Sequence, residues 1–171
     1  LTELSLRENN FIQFPVEILV LKNLTSLSLA NNQLEVIHKD VLSQLPNLQW
    51  LNLAHNRLTE LPVDIVCCHH LRGLDLESNN FSFIPPNYNF PPTLHALNLA
   101  FNTLTQFFER LSKCKDLRRL NLAINRLTEV PPEIGLLSQL QWLNLNDNRI
   151  THLPDTISSL THLVKLGLVQ N

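Results

Sequence analysis

The sequence predicts an α/β solenoid, a curved horseshoe of short repeated units with one parallel β-sheet on its concave side. Three observations lead to this fold class. An aliphatic phrase returns at a fixed step, an asparagine stands at the same place in each phrase, and a second apolar pattern with helical spacing follows. Repetition with a period of about 20 to 50 residues is typical of solenoids, in which each unit packs only against its neighbours.

The phrase begins at eight evenly spaced leucines. They are Leu1, Leu24, Leu48, Leu71, Leu94, Leu117, Leu140 and Leu163. Neighbouring members are 23 residues apart six times and 24 residues apart once. Residues 1–171 are therefore predicted to form a single domain of seven complete repeats and an eighth that stops at its asparagine. An uncapped solenoid end exposes core leucines to water, so we expect the segment to come from a longer protein.

The phrase, written L-x-x-L-x-L-x-x-N-x-L, predicts one strand in each repeat. Alternate side chains of a strand point to opposite faces, so Leu51 and Leu53 should face the core while Trp50 and Asn52 face away from it. Counted from the first leucine, positions 2, 3, 5, 7 and 8 are expected to face or rim the concave sheet. Strands of successive repeats should pair in parallel about 4.8 Å apart.

The asparagine of each phrase predicts a column of side chains where the chain leaves the strand. Its members are Asn9, Asn32, Asn56, Asn79, Asn102, Asn125, Asn148 and Asn171. A short amide carries donors and an acceptor, so it can satisfy the backbone of a sharp turn inside a core. A structural ladder is therefore favoured over sugar or metal binding. With this asparagine in all eight phrases, the chain resembles the leucine-rich repeat family over its whole length, and the family's own ladder implies the same role.

The second pattern predicts short helical or extended segments on the convex side. In residues 127–137 and 153–160 a proline precedes apolar residues three apart, such as Ile134 and Leu137. That spacing suits one short turn of helix with a single edge on the core, and proline fixes the backbone where the turn begins. This variant is similar to the intracellular leucine-rich repeats often called the Ras group. That resemblance implies cytoplasmic signalling partners such as small GTPases or phosphatases.

Two convex segments depart from this pattern. Residues 37–45 carry the extra residue and lack the proline, which predicts a slightly longer helix. Residues 84–92 contain two pairs of prolines, which remove backbone donors and favour extended geometry, so the segment should bulge or run extended. Either departure is explained by a partner site or by a neutral insertion, and neutral variation is favoured because surface connections vary freely.

Composition argues against several classes of partner. The net charge is −2 and the isoelectric point is about 6.4, which provide no field to attract nucleic acid or an anionic membrane. No stretch approaches the roughly 20 apolar residues that cross a bilayer. We expect neither nucleic-acid binding nor a membrane span.

The cysteines are expected to be structural. Cys67, Cys68, His69 and His70 are consecutive, and consecutive residues cannot converge on one tetrahedral zinc ion. Aligned with the other repeats, Cys68 and Cys114 fall at core positions. The chain lacks a cluster of capping disulfides, which favours a reducing, cytoplasmic location.

The concave face is the predicted site for a protein or peptide partner. Its candidate residues are Trp50, Arg72, Asp75, Glu77, His95, Asn98, Phe101, Arg118, Arg119, Asn121 and Trp142. Exposed tryptophan is a favoured hot spot of binding, and the two tryptophans lie four repeats apart, or about 19 Å along the sheet. The alternative is that they pack sideways on neighbouring strands and stiffen the sheet. The two interpretations are compatible.

No enzymatic constellation is apparent. The chain has three glycines, which excludes a glycine-rich phosphate loop, and common hydrolase and metalloprotease motifs are absent. We therefore expect no catalysis and no cofactor, and we interpret the chain as an interaction module for scaffolding or recognition. The alternatives are an extracellular receptor or adhesion ectodomain, the regulatory arm of an enzyme, and a secreted microbial effector. Architecture alone does not identify the partner.

Overall fold

The fold is a single parallel sheet backed by short convex segments, seen in a computed structural model that describes residues 1–107 and 109–171. The strands follow chain order across the sheet, so each repeat adds one strand beside the last. They are β1 Glu3–Ser5, β2 Ser26–Ser28, β3 Trp50–Asn52, β4 Gly73–Asp75, β5 Ala96–Asn98, β6 Arg119–Asn121, β7 Trp142–Asn144 and β8 Lys165–Gly167. The predicted α/β solenoid is confirmed.

The register aligns equivalent positions of successive repeats. Leu51 lies between Leu27 and Leu74 in the pairing, and the residues on either side of it match in the same way. These central leucines are almost completely removed from water. Burying one leucine side chain stabilises a fold by about 1.5 to 3 kcal/mol, so the continuous leucine column is the main reason that the strands stack.

The convex side carries 3-10 helices of three to five residues in the described part of the chain. They are η1 Val16–Val20, η2 Leu42–Gln44, η3 Val63–Cys67, η4 Glu109–Lys113, η5 Pro132–Leu136 and η6 Asp155–Ser159. Pro131 precedes η5 in an extended conformation, as Pro154 does for η6. Ile134 and Leu137 are both buried, which confirms the single apolar edge inferred from their spacing.

The expectation of a longer helix in residues 37–45 is wrong. Its helix, η2, has only three residues. The extra length forms a turn in which Asp40 has a positive φ of 65°. Asp64 of the next repeat supports the short helix, because its Oδ2 accepts a hydrogen bond from the backbone N–H of Ser43 at 3.3 Å. The inserted residue is therefore absorbed by a tight turn.

The proline-rich segment 84–92 has no helix, as predicted, and it contains a turn at Pro86 and Asn87. Its aromatic residues fill the space that a helix covers in the other repeats. Tyr88 and Phe90 are buried and meet edge to face, with ring centroids 5.0 Å apart. The Tyr88 hydroxyl donates to the carbonyl oxygen of Pro62 at 3.3 Å, so its buried polar end has a partner.

The asparagine column joins each repeat to the one before it. The Nδ2 of Asn56 donates to the carbonyl oxygens of Leu53 in its own repeat and Leu29 in the preceding repeat, both at 3.0 Å. Its Oδ1 accepts from the N–H of Leu34 at 2.9 Å. The six interior members are buried, whereas Asn9 and Asn171 are exposed. One amide per repeat thus satisfies the backbone where the chain turns away from the sheet.

The cysteines are free thiols. Cys68 and Cys114 are buried, as the alignment of the repeats predicted, and Cys67 is exposed. Burial raises the pKa of both buried thiols to about 12. These two side chains therefore serve as small apolar residues of the core.

Candidate functional site

The concave face consists mainly of positions 3 and 5 of each phrase. The expectation that position 7 also lies there is wrong for the repeats that carry alanine, since Ala30, Ala54, Ala100 and Ala123 are buried. The strands end at position 5, so alternation no longer controls which way the next side chains point.

A broad depression of about 530 Å³ occupies the middle of this face. It spans β2 to β7 and has Trp50 and Trp142 among its lining residues. The complete lining is Ser26, Leu27, Ser28, Trp50, Leu51, Asn52, Gly73, Leu74, Asp75, Ala96, Leu97, Asn98, Arg119, Asn121 and Trp142. Its volume lies within the range of about 300 to 1,000 Å³ that is usual for ligand-binding pockets.

The depression brings together six of the eleven candidate residues. They are Trp50, Asp75, Asn98, Arg119, Asn121 and Trp142. The other five candidates do not line it: they are Arg72, Glu77, His95, Phe101 and Arg118. Arg72, His95 and Arg118 occupy position 2, one residue before a strand begins.

Trp50 lies across the neighbouring strand. Its six-membered ring occupies the space that a Cβ of residue 73 would fill, so it rests directly on Gly73. The side chain nevertheless remains half exposed, with 50% of its surface accessible. Trp50 therefore packs sideways on β4 and also leaves half of its surface accessible to solvent.

A row of short polar side chains runs along position 5. The Oδ1 atoms of Asn52, Asn98 and Asn121 accept hydrogen bonds from the backbone N–H two residues later. Asp75 holds the N–H of Glu77 in the same way at 3.1 Å. These bonds fix the side chains, so each amide or carboxylate has a defined position before any partner arrives.

Two carboxylates lie close together at the edge of the depression. Glu77 accepts a hydrogen bond from the Nδ2 of Asn98 at 2.8 Å. Burial raises the pKa of Asp75 above its ordinary value, and the charge of Glu77 adds to that rise. Three neighbours lower the pKa of Asp75. They are the backbone N–H of Glu77 and the side chain of Asn98, which donate hydrogen bonds, and the nearby His55. Ionised Asp75 is thus incompletely compensated by its protein neighbours.

Phe101 stands on the rim, outside the depression. It has a positive φ of 54° and is 50% exposed. Ile124 occupies the equivalent place in the next repeat with the same φ and is also exposed. Left-handed backbone is unusual for a β-branched residue, so this rim holds its apolar side chains in a costly conformation.

The floor of the depression was not predicted from the sequence. Gly73 and Ala96 face it from position 3. The Trp50 ring rests on Gly73, and the small side chain of Ala96 leaves room between that ring and Arg119. The signal was present, because both residues stand at a position predicted to face the sheet. Small side chains are easily overlooked as binding residues although they create the space that a partner enters.

The described residues hold no group of three or more histidine, cysteine, aspartate or glutamate side chains placed for a metal ion. In that same part of the chain, no helix has the length and apolar character needed to cross a membrane. The geometry consists of an open floor, aromatic side chains and fixed polar groups. Such a surface can bind a partner through burial of apolar area and directed hydrogen bonds.

Family models match most of the chain. A model described as "Leucine rich repeat" matches residues 1–58 and 115–171. A model described as "Leucine Rich repeats (2 copies)" matches residues 46–87. The matches do not identify the Ras-group variant.

Relatives of different kinds share these repeats. The MAP kinase phosphatase with leucine-rich repeats protein 1 of Dictyostelium discoideum is 40% identical over 83 residues, or 48% of this chain and 10% of that protein. Osteomodulin of Bos taurus is 42% identical over 80 residues, or 45% of this chain and 18% of that protein. The chain therefore matches less than a fifth of either relative.

A similar solved structure is a plant receptor. It is the leucine-rich repeat ectodomain of the membrane receptor kinase GASSHO1/SCHENGEN3 from Arabidopsis thaliana, in complex with CASPARIAN STRIP INTEGRITY FACTOR 2. The TM-score is 0.83 at 31% identity, and the match covers 99% of this chain and 21% of that chain. The likeness extends over the complete arrangement of repeats described above.

Proposed function

Because the chain belongs to the leucine-rich repeat family, we propose that it binds a protein or peptide partner on the concave face of its sheet. The fold supports protein–protein interaction. The observation that carries the choice of face is the half-exposed Trp50 beside a depression of about 530 Å³. An aromatic side chain that leaves water on binding is a frequent source of affinity.

The described geometry favours binding over catalysis. Leucine-rich repeat families are in general interaction modules rather than enzymes. The Dictyostelium relative is named as a phosphatase, but only 10% of it aligns with this chain, so its activity is not carried over. The polar groups of the depression are held by backbone hydrogen bonds, which suits recognition of a fixed surface.

The experiment begins by selecting binders from a randomised peptide display library against the chain. Their affinities are then measured for the wild type and for Trp50→Ala and Trp142→Ala. Removing a tryptophan that anchors a partner costs about 2 kcal/mol or more, which is roughly a 30-fold rise in Kd. We expect that loss in both variants, with the circular dichroism spectrum and the unfolding transition preserved.

The matched control is Phe83→Ala. Phe83 is also an exposed aromatic residue, with 57% of its surface accessible, but it lies outside the strands and the depression. Its removal should leave Kd unchanged. If the Kd of the selected peptides is unchanged in both tryptophan variants and rises in Phe83→Ala, binding lies on another surface and the proposal is rejected.

The partner class we propose is an intracellular signalling protein, such as a small GTPase or a phosphatase. The similarity of the convex pattern to the Ras-group variant supports it, as do three cysteines that are free thiols. Calorimetric titration with purified small GTPases in both nucleotide states, and with phosphatase catalytic domains, tests the partner class. Antibody staining of cells before and after permeabilisation tests the cytoplasmic location, which predicts staining only after permeabilisation.

A further inference from the structure

Trp50 and the carboxylate of Asp75 both line the depression. Its ring rests on Gly73 of β4, and Asp75 follows two residues later on the same strand. Residues two apart in a strand point to the same face, so Asp75 lies on the face that carries the Trp50 ring, and both residues line the depression. The six-membered ring contacts Gly73, while half of the side-chain surface stays accessible to a ligand. An aromatic face with an adjacent anion is suited to a cation.

Among the described residues, the carboxylates near this ring form no salt bridge with a cationic side chain. The ion pairs formed among the described residues are Arg7 with Glu8 and Arg57 with Glu35, and neither involves Asp75 or Glu77. Asp75 is half-buried, which disfavours its ionised form. The negative charge of Glu77 disfavours that form further. A ligand that brings a positive charge would stabilise the ionised carboxylate and so offset both effects.

The floor provides the room for that ligand. Gly73 accommodates the Trp50 ring, and Ala96, its neighbour on β5, has a side chain too small to fill the floor beside that ring. Beyond them, Arg119 is exposed on β6. The depression thus has an anionic, aromatic part at β3 and β4 and a cationic part at β6. A cationic group of a partner is attracted to the anionic part at β3 and β4. The same group is repelled by the cationic part at β6.

We propose that the β3–β4 part of the depression binds an arginine side chain of the partner, with its guanidinium stacked on Trp50 and paired with Asp75. Arginine fits better than lysine because its flat guanidinium stacks on an aromatic ring while its edge donates to a carboxylate. This assignment rests on the proposed function, since it names the group that the partner places on the concave face. Glu77 adds a second negative charge at the same edge.

The test uses two short peptides that differ only in charge. Acetyl-Gly-Arg-Gly-amide carries the guanidinium, whereas the same peptide with citrulline carries a neutral urea of similar shape. Each is titrated into the isotope-labelled chain while the indole N–H signals of Trp50 and Trp142 are followed. We expect the arginine peptide to shift the Trp50 signal with a Kd about tenfold lower than that of the citrulline peptide. The Trp142 signal is the internal reference and should move little.

Two variants localise the effect. Asp75→Asn removes the paired charge, and Gly73→Ala introduces a Cβ where the Trp50 ring lies, which displaces the ring while both site side chains remain. Each should remove the preference for arginine over citrulline. Glu129→Gln, which changes net charge equally at an exposed residue outside the depression, should retain it. Circular dichroism verifies that each variant is folded. If Gly73→Ala does not fold, the result for Asp75→Asn decides the outcome.

Failure of this assignment is distinguishable from failure of the proposed function. Equal shifts by the two peptides, or an unchanged preference in Asp75→Asn, would overturn the arginine assignment. The library-selected peptides report separately on the face. If they depend on the tryptophans but contain no arginine, the concave face binds its partner without this contact. If they do not depend on the tryptophans, the proposed function itself fails.

Discussion

The asparagine column and position 3 of the sheet run through the same repeats but differ in how their sequences vary. The column has asparagine in every repeat, and its interior members are buried in the same hydrogen bonds. Position 3 changes from tryptophan to glycine, alanine and arginine across β3 to β6. Positions with the same buried hydrogen bonds carry the same residue type, whereas positions exposed to solvent on the sheet can carry different residue types. Recognition is therefore expected where the repeats differ.

The largest predicted effect comes from removing an interior asparagine. Asn102 donates to the carbonyl oxygens of Leu76, Leu99 and Ala100 and accepts from the N–H of Phe81. Each buried polar group left without a partner costs about 1 to 3 kcal/mol, so we expect Asn102→Ala to lower the free energy of unfolding by about 3 kcal/mol or more.

Chemical denaturation followed by circular dichroism measures this loss. The control is Asn9→Ala, in which the exposed amide donates to two carbonyl groups that water can reach. We expect less than about 1 kcal/mol for this variant. Equal losses for the buried and exposed asparagines would show that the column does not derive its stabilising effect from burial.

Substitution of two glycines compares how tightly the convex and the concave sides are packed. A Cβ on Gly135 in η5 would lie 2.7 Å from the backbone carbonyl oxygen of Thr156 in η6, which cannot move without shifting a repeat. Overpacking of this kind costs about 1 to 3 kcal/mol, so Gly135→Ala should lower the unfolding midpoint. At Gly73 the obstacle is the half-exposed ring of Trp50, which can swing into solvent.

Gly73→Ala should therefore cost less stability than Gly135→Ala and change the fluorescence of Trp50. Thermal unfolding and tryptophan emission of the two variants provide the comparison. Leu136→Ala, at a half-exposed neighbour of Gly135, serves as the control for truncation on the convex side. A larger loss from Gly73→Ala than from Gly135→Ala would mean that the concave face is packed as rigidly as the convex one.

The smallest predicted effect is a pH dependence at Asp75. Burial raises its pKa in the folded chain above the ordinary value of 3.8, so the unfolded chain releases this proton at a lower pH. As the pH rises from about 3 through the folded pKa, this residue consequently lowers the stability of the wild type. Asp75→Asn removes that component and should be more stable than the wild type at pH 7.

The two proteins should become equally stable near pH 3, where Asp75 is protonated in both states. Unfolding curves between pH 3 and 7 measure the difference. Asparagine retains the local hydrogen bond, as Asn52 and Asn98 do at the same position. A wild type that is the more stable protein at pH 7 would show that the ionised carboxylate is already well compensated.

Much of the fold could be predicted because period and spacing are local properties of the sequence. The eight strands and the buried edge of η5 follow from the recurrence of leucine and isoleucine. Residues 37–45 were predicted wrongly because an extra residue can lengthen a helix or be absorbed by a turn. The contact from Asp64 to Ser43, which favours the turn, joins two repeats and is not apparent from either alone.

The site was less predictable than the fold. Spacing indicates which residues face the sheet, and it placed Trp50 and Asp75 there, but it does not give the direction in which a long side chain leans. That the Trp50 ring covers Gly73 depends on the contact between adjacent strands. The burial of Tyr88 and Phe90 likewise depends on space left by the absent helix. The role of the eleven candidate residues in binding stays a prediction.

The most direct test of recognition by the concave face is a map of amide chemical shifts when a library-selected peptide binds the isotope-labelled chain. We predict that the largest shifts lie in β3 to β7, around Trp50 and Trp142. The amide shifts of the convex helices η3 and η5 should change little. Shifts concentrated in those helices, with the strands unaffected, would contradict it.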